Sequence, residues 1–134
     1  VRLLLDFRIH PGMDHEQVGQ FLDKGFEQAG IDGFQRTLHF YMPGGEIPQD
    51  DRFVKLCLEE REHLFGIKSE PQPFDASCEQ CFLAKEGIQT VICGPGDIAQ
   101  AHTVGEFTWE KQVRDAVSLY ERIIDRVLYK TNYI

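Results

Sequence analysis

Short apolar stretches alternate with amphipathic ones along this chain, and their spacing predicts an α/β protein. Three stretches are apolar or alternate in polarity, and each runs into a turn that contains proline and glycine. Short runs of β-branched, aromatic and other apolar residues that end at such turns are typical of strands. The three predicted strands are 2–9, 36–42 and 88–93.

Between and after these stretches, apolar residues recur at helical spacing in three segments. Asp14 and either Asp50 or Asp51 are suited to cap the first two helices, and Gly30 to end the first. The stripes are Val18, Phe21, Leu22, Phe26 and Ala29; then Val54, Cys57, Leu58, Leu64 and Phe65; then Trp109, Val113, Ala116, Val117, Tyr120, Ile123, Ile124, Val127 and Leu128. We interpret the charged run 59–62 as a solvated helix face, and the proline-containing stretch 69–76 as a loop.

Composition and charge narrow the function classes. With 134 residues, 42% of them hydrophobic and 27% charged, the chain has the size and composition of a globular domain. The formal net charge of −8, without any basic run, argues against a nucleic-acid partner. No apolar run approaches the ~18 residues of a membrane span, so we expect no membrane partner.

The cysteines leave two interpretations open. Cys78 and Cys81 form a Cys-x-x-Cys pair, which suits either a redox pair or half of a zinc site. No second pair of closely spaced Cys or His residues completes a four-ligand set, so we favour ordinary reduced thiols. Such usage favours a reducing compartment, and we expect a cytoplasmic protein.

The polar loop 94–106, between the last predicted strand and the last helix, contains the isolated histidine His102. A loop imidazole with carboxylates near it can present a neutral nitrogen to a metal ion, although a structural loop histidine is the alternative. Glu106 either orients that imidazole or begins the helix near its positive end. Gly94 and Gly96 would let the backbone approach a ligand closely, or they form a plain turn.

Three motifs in this order resemble one known family. They are LLDFRIHPG at 4–12, SCEQCFL at 77–83, and GPGDIAQAHTVGE at 94–106 with the apolar stretch before it. Together they resemble the acetylornithine deacetylase, succinyl-diaminopimelate desuccinylase and aminoacylase family of zinc metallopeptidases. The stretch 45–76 matches that family only in pattern.

The resemblance implies a reaction and some of its residues. In such an enzyme two zinc ions polarise the amide carbonyl of an N-acyl amino acid or dipeptide and activate a water, whose proton a glutamate accepts. Cobalt and manganese are alternatives to zinc. His102 matches the last metal ligand of the family, and Arg8 matches a lid arginine that points toward the substrate α-carboxylate. An ion pair with Asp6, or a solvated position, is the alternative for Arg8.

The resemblance also implies a domain organisation. Residues 1–44 would form the second half of a two-layer lid, or dimerisation, domain, and residues 45–134 the C-terminal part of an α/β catalytic domain. Most metal ligands and the general base would precede the lid, and nothing equivalent stands in this sequence. The first residue, Val1, already lies inside a strand pattern.

We therefore expect this chain to be part of a longer hydrolase that assembles as a homodimer. By itself the chain should be inactive and should hold no metal tightly, because it supplies no catalytic residue and only one metal ligand. Two alternatives stay open: a non-catalytic dimerisation or interaction module, and a homologue that lacks the metal centre.

Overall fold

The computed structural model describes residues 1–129, which contain four α-helices and one short 3₁₀ turn. The helices are α1 (His15–Gln28), α2 (Arg52–Phe65), α3 (Gln80–Lys85) and α4 (Glu110–Leu128), and the 3₁₀ turn is Ile98–Gln100. The chain divides into two compact units. Unit 1 comprises residues 1–47 and 76–90, and unit 2 comprises residues 48–75 and the chain from Val91 onwards.

No β-strand is present within residues 1–129, so the three strands predicted at 2–9, 36–42 and 88–93 are not formed. The described residues therefore form a helical structure, and the expectation of an α/β sheet is wrong for them. A strand exists only through its hydrogen bonds to a neighbouring strand, and β-propensity mainly measures how well side chains pack on a sheet. The described residues contain no sheet on which these side chains could pack, and Leu4 is 84% exposed and Phe40 73% exposed.

Helix α1, in unit 1, begins where the sequence predicts it. The Asp14 carboxylate accepts a hydrogen bond from the Gln17 backbone N–H at 2.8 Å, and the Gln17 side chain accepts one from the Asp14 N–H at 3.0 Å. This reciprocal pair satisfies two backbone donors that the first helical turn leaves without partners. The helix is followed by Gly30, which has a φ of 69°.

Two glycines allow close backbone packing within unit 1. A Cβ atom on Gly45 would lie 2.7 Å from the backbone Cα of Cys81, and one on Gly44 would lie 2.5 Å from the Cα of Pro11. Cys81 belongs to α3 and is buried. The contact explains why 76–90 groups with the N-terminal residues, whereas the division at residues 44 and 45 into lid and catalytic domains remains a prediction.

Helices α2 and α4 pack together in unit 2. Asp51 caps α2 by accepting a hydrogen bond from the Phe53 N–H at 2.7 Å. The buried apolar residues of the pair are Val54, Leu56 and Leu119. Both helices thus follow their predicted segments and contact each other, although Leu56 and Leu119 lie outside the predicted apolar stripes.

A buried carboxylate also joins these two helices. Glu60 is only 1% exposed, so the interpretation of the whole run 59–62 as a solvated face is wrong at this residue. Its two carboxylate oxygens accept hydrogen bonds from Arg122 Nε at 2.5 Å and from Arg126 Nη1 at 2.8 Å. These arginines lie on α4, and their charges permit a carboxylate to be buried there.

Candidate functional site

The candidate site is the loop that carries His102, and its first residues are tied to helix α4. The hydroxyl of Tyr120 donates a hydrogen bond to the backbone carbonyl of Cys93 at 2.7 Å. This carbonyl immediately precedes Gly94, the first residue of the loop. The bond therefore fixes the loop entrance to a helix in the same unit.

Side chains within the loop satisfy its own backbone groups. The Asp97 carboxylate accepts from the Ala99 N–H at 2.9 Å and so begins the 3₁₀ turn. The Gln100 carbonyl accepts from the Thr103 hydroxyl at 2.7 Å, and its side-chain oxygen accepts from the Phe107 N–H at 3.4 Å. Such local bonds give a loop without strands or long helices a defined path.

His102 has an unusual backbone conformation. Its φ is 63°, and it is the only residue other than glycine with a positive φ within residues 1–129. The left-handed region is disfavoured for residues with a Cβ atom and is often found at functional sites. The imidazole is exposed, and within residues 1–129 it neither donates nor accepts a hydrogen bond. Its ring nitrogens are thus available to a ligand.

Glu106 contacts the backbone of His102. One carboxylate oxygen, Oε2, accepts a hydrogen bond from the His102 backbone N–H at 3.1 Å. Helix α4 begins at Glu110, so Glu106 does not begin that helix as one interpretation proposed. A contact between the Glu106 carboxylate and the imidazole remains a prediction.

The two glycines of the turn differ in why they are glycine. Gly96 has a φ of 100°, a conformation that a residue with a side chain adopts only with strain. Gly94 has no positive φ, and the nearest atom to a Cβ placed on it is the Tyr120 hydroxyl at 4.0 Å. The described fold therefore requires glycine at 96 and leaves room for a side chain at 94.

Arg8 lies in unit 1, whereas the other candidate residues, Gly94, Gly96, His102 and Glu106, lie in unit 2. Its guanidinium is 3.6 Å from the Asp6 carboxylate and donates a hydrogen bond to the Ser77 hydroxyl at 3.0 Å. The side chain remains 75% exposed, so its fork has donors left for an anion. The ion pair with Asp6 exists, and a substrate role for Arg8 remains a prediction.

One potential ligand for a metal ion is supplied by this loop. Among residues 1–129, no group of three or more His, Cys, Asp or Glu side chains is arranged to hold a metal. An exposed neutral imidazole suits one coordination position of zinc, which needs three or four protein ligands. His102 by itself could fill one such position, and its role as a metal ligand remains a prediction.

Tyr120 and Gln100 support this loop, and sequence reasoning did not identify them as such. Tyr120 was assigned to the apolar stripe of the last helix, because its ring fits that spacing and its hydroxyl has no sequence signal. Gln100 lies among other polar loop residues, and its position gives no signal of the two bonds it accepts. Their contacts follow from the folded path of the loop.

Comparison with known families agrees with this picture. The family model of peptidase family M20/M25/M40 matches residues 9–126. This chain therefore belongs to the M20 family of peptidases, the group that its three motifs resemble.

Two relatives give the resemblance more detail. The chain is 26% identical over 138 aligned residues to an acetylornithine deacetylase of Photorhabdus laumondii, which covers 97% of this chain and 33% of the relative. It is 28% identical over 126 residues to an acetylornithine deacetylase of Pectobacterium carotovorum, with 91% and 31% covered. The chain spans about a third of the length of these curated relatives. No solved structure matches it.

Within residues 1–129, no helix is both long enough and apolar enough to cross a bilayer.

Proposed function

We propose that this chain is part of a zinc-dependent hydrolase that removes the acyl group from an N-acyl amino acid, as an acetylornithine deacetylase does. The observation that carries the proposal is the exposed His102 imidazole, held on a left-handed backbone in the loop that matches the family motif. Membership of the M20 family and the two acetylornithine deacetylase relatives support it.

In this proposal His102 supplies one metal ligand. When bound, zinc would polarise the amide carbonyl and make water a stronger nucleophile at neutral pH. Cobalt or manganese could replace it. The loop bonds of Asp97, Gln100 and Glu106 hold the backbone around His102 in place, which limits the reorganisation needed when the metal binds.

Arg8 and Gly94 bind the substrate in this proposal. The planar guanidinium of Arg8 can donate two parallel hydrogen bonds to an α-carboxylate, which a lysine cannot reproduce. Gly94 keeps the backbone open at a position where the fold tolerates a side chain. Gly96, the other glycine of the turn, likewise lets the backbone approach the substrate.

The remaining ligands and the general base would come from parts of a longer protein. The chain alone is therefore inactive and binds zinc weakly, because one imidazole leaves most of a tetrahedral set unfilled. We further propose a cytoplasmic enzyme that forms a homodimer through residues 1–44 of a lid domain.

The test uses the intact protein that contains this chain. Purified protein is assayed for release of acetate from N-acetylornithine and other N-acetyl amino acids, before and after removal of metal by a chelator. We expect hydrolysis that chelation abolishes and that added zinc restores. Hydrolysis that persists after complete metal removal would contradict the metal-dependent assignment. A protein that binds no zinc and hydrolyses none of these substrates would instead be the metal-free homologue.

A further inference from the structure

The contact between Glu106 and His102 suggests a specific role for this carboxylate. The Glu106 side chain reaches back four residues and accepts a hydrogen bond from the His102 backbone N–H at 3.1 Å. His102 has a φ of 63°, in the left-handed region. This conformation is disfavoured for a residue with a Cβ atom, so contacts in the loop must hold it there.

Two contacts restrain residue 102: the Thr103 backbone N–H donates to the Gln100 carbonyl at 3.1 Å and closes a turn in which the third residue has a positive φ, and the Glu106 carboxylate accepts from the His102 amide. Thr103 and Phe107 are tied to Gln100, and the Glu106 N–H donates to the Thr103 carbonyl at 3.3 Å. Gly105, with a φ of 80°, reverses the chain between Thr103 and Glu106. These contacts bring the Glu106 carboxylate beside the His102 amide. In the described residues, the Glu106 bond is the one hydrogen bond made by that amide.

We propose that Glu106 is a positioning residue that fixes the backbone conformation of His102, and through it the direction in which the imidazole is presented to the metal. The inference rests on the proposed function, because it assumes that His102 binds zinc. It differs from a carboxylate that orients an imidazole through a ring nitrogen: here the contact is with the main chain, and the need is for a hydrogen-bond acceptor rather than a negative charge.

If position 106 needs an acceptor and not a charge, two substitutions of Glu106 should have different effects. A glutamine at position 106 keeps a side-chain oxygen that can accept from the His102 N–H, whereas an alanine leaves that N–H without an acceptor. Glu106→Gln should therefore retain the backbone conformation and most of the zinc affinity. Glu106→Ala should lose both. Glu110→Ala is a matched control, because Glu110 is an exposed glutamate four residues further on that pairs with Arg114 instead.

The first measurement is a structural one and involves no metal. A φ near +60° brings the amide and α protons of one residue close together, and gives a strong intraresidue nuclear Overhauser effect at His102 in isotope-labelled intact protein. We expect this signal in wild type, Glu106→Gln and Glu110→Ala, and a weak signal in Glu106→Ala. The same intensity in Glu106→Ala as in wild type would overturn the proposal.

The second measurement is zinc affinity of the same proteins by competition with a chelating dye. We expect Glu106→Ala to bind the zinc that depends on His102 about three- to tenfold more weakly, the range of one hydrogen bond, and Glu106→Gln to stay within about twofold of wild type. Equal losses in Glu106→Ala and Glu106→Gln would show that the charge matters and would overturn the backbone role. Unchanged affinity in Glu106→Ala would overturn positioning.

A His102→Ala variant separates failure of this inference from failure of the proposed function. If His102→Ala binds zinc as wild type does, His102 is not a ligand and the proposed function fails, whatever the Overhauser signal shows. If His102→Ala loses zinc while Glu106→Ala does not, the proposed function stands and the positioning role of Glu106 is wrong.

Discussion

At the scale of single residues, the two glycines of the turn before His102 differ, because the fold requires glycine at only one of the two positions. Gly96 has a φ of 100°, a conformation that favours glycine. The nearest atom to a Cβ placed on Gly94 lies 4.0 Å away. The described fold does not explain the glycine at position 94, and the proposed function assigns it to close approach of a substrate to the backbone.

This difference predicts opposite outcomes for two substitutions. Gly94→Ala in the intact protein should leave the free energy of unfolding within about 0.5 kcal/mol of wild type. It should raise KM, because the new methyl group would occupy the space that the proposed function assigns to the substrate. Gly96→Ala should destabilise the protein by about 1 kcal/mol or more, because alanine is strained at that φ. Chemical denaturation and steady-state kinetics would measure both. Wild-type kinetics in Gly94→Ala would remove it from the substrate site.

At the scale of secondary-structure elements, the contact between α2 and α4 depends on a charge inside it. Burial tends to raise the pKa of Glu60, but the hydrogen bonds and charges of Arg126 and Arg122 outweigh that tendency, so the pKa lies below its ordinary value of 4.5. Because the folded state holds this group ionised more strongly than the unfolded state does, the resulting stabilisation is present above pH 4.5. It is lost as the pH falls through the lowered pKa.

Glu60→Gln should therefore lower the free energy of unfolding at neutral pH by about 1–3 kcal/mol. This loss is smaller than that expected for a fully buried ion pair, because the side chains of both arginines are partly exposed. The loss relative to wild type should shrink as the pH is lowered below 4.5. Glu62→Gln, on the same helix but exposed, is the control and should stay within about 0.5 kcal/mol. Urea unfolding across this pH range measures both, and a pH-independent difference would show that ionisation of Glu60 does not stabilise the contact.

The elements also show how far sequence reasoning extends. Helices α1, α2 and α4 are predicted well, because capping residues and apolar periodicity are local signals that these segments carry themselves. The strands are not, because a strand depends on partners elsewhere in the chain or beyond it. The burial of Glu60 was missed since its arginine partners lie 62 and 66 residues away.

The candidate site divides in the same way. His102 stands out in the sequence as an isolated histidine in a glycine-punctuated loop, and the family motif assigns its role. Its left-handed backbone and the main-chain contact of Glu106 have no sequence signal, because they arise from how the loop closes on itself. Tyr120 was likewise visible only as an apolar position.

At the scale of the whole molecule, a large apolar surface is left uncovered in each unit. In unit 1 it includes Leu3, Leu4, Leu5, Leu38 and Phe40, and in unit 2 the α4 residues Val113, Val117, Ile124 and Leu128. Where exposed apolar side chains lie side by side, they usually mark an interaction surface. The relatives, about three times as long, have more chain with which such surfaces could be covered.

We therefore expect the 134-residue chain, studied alone, to form dimers or larger assemblies. Apolar side chains in extended segments that lack strand partners favour association with another copy. Sedimentation velocity at tens of micromolar protein would detect it. A single monomeric species at that concentration would show that these surfaces do not drive association.

The most direct test of the account is the zinc content of the intact protein with and without the His102 imidazole. Wild type and His102→Ala are purified identically, together with His39→Ala, whose histidine is also exposed and lies in unit 1. Metal content is measured by mass spectrometry, and folding by circular dichroism. The account predicts that His102→Ala remains folded, loses about one zinc ion per subunit and loses deacylase activity, while His39→Ala keeps both. Full zinc content in folded His102→Ala would contradict it.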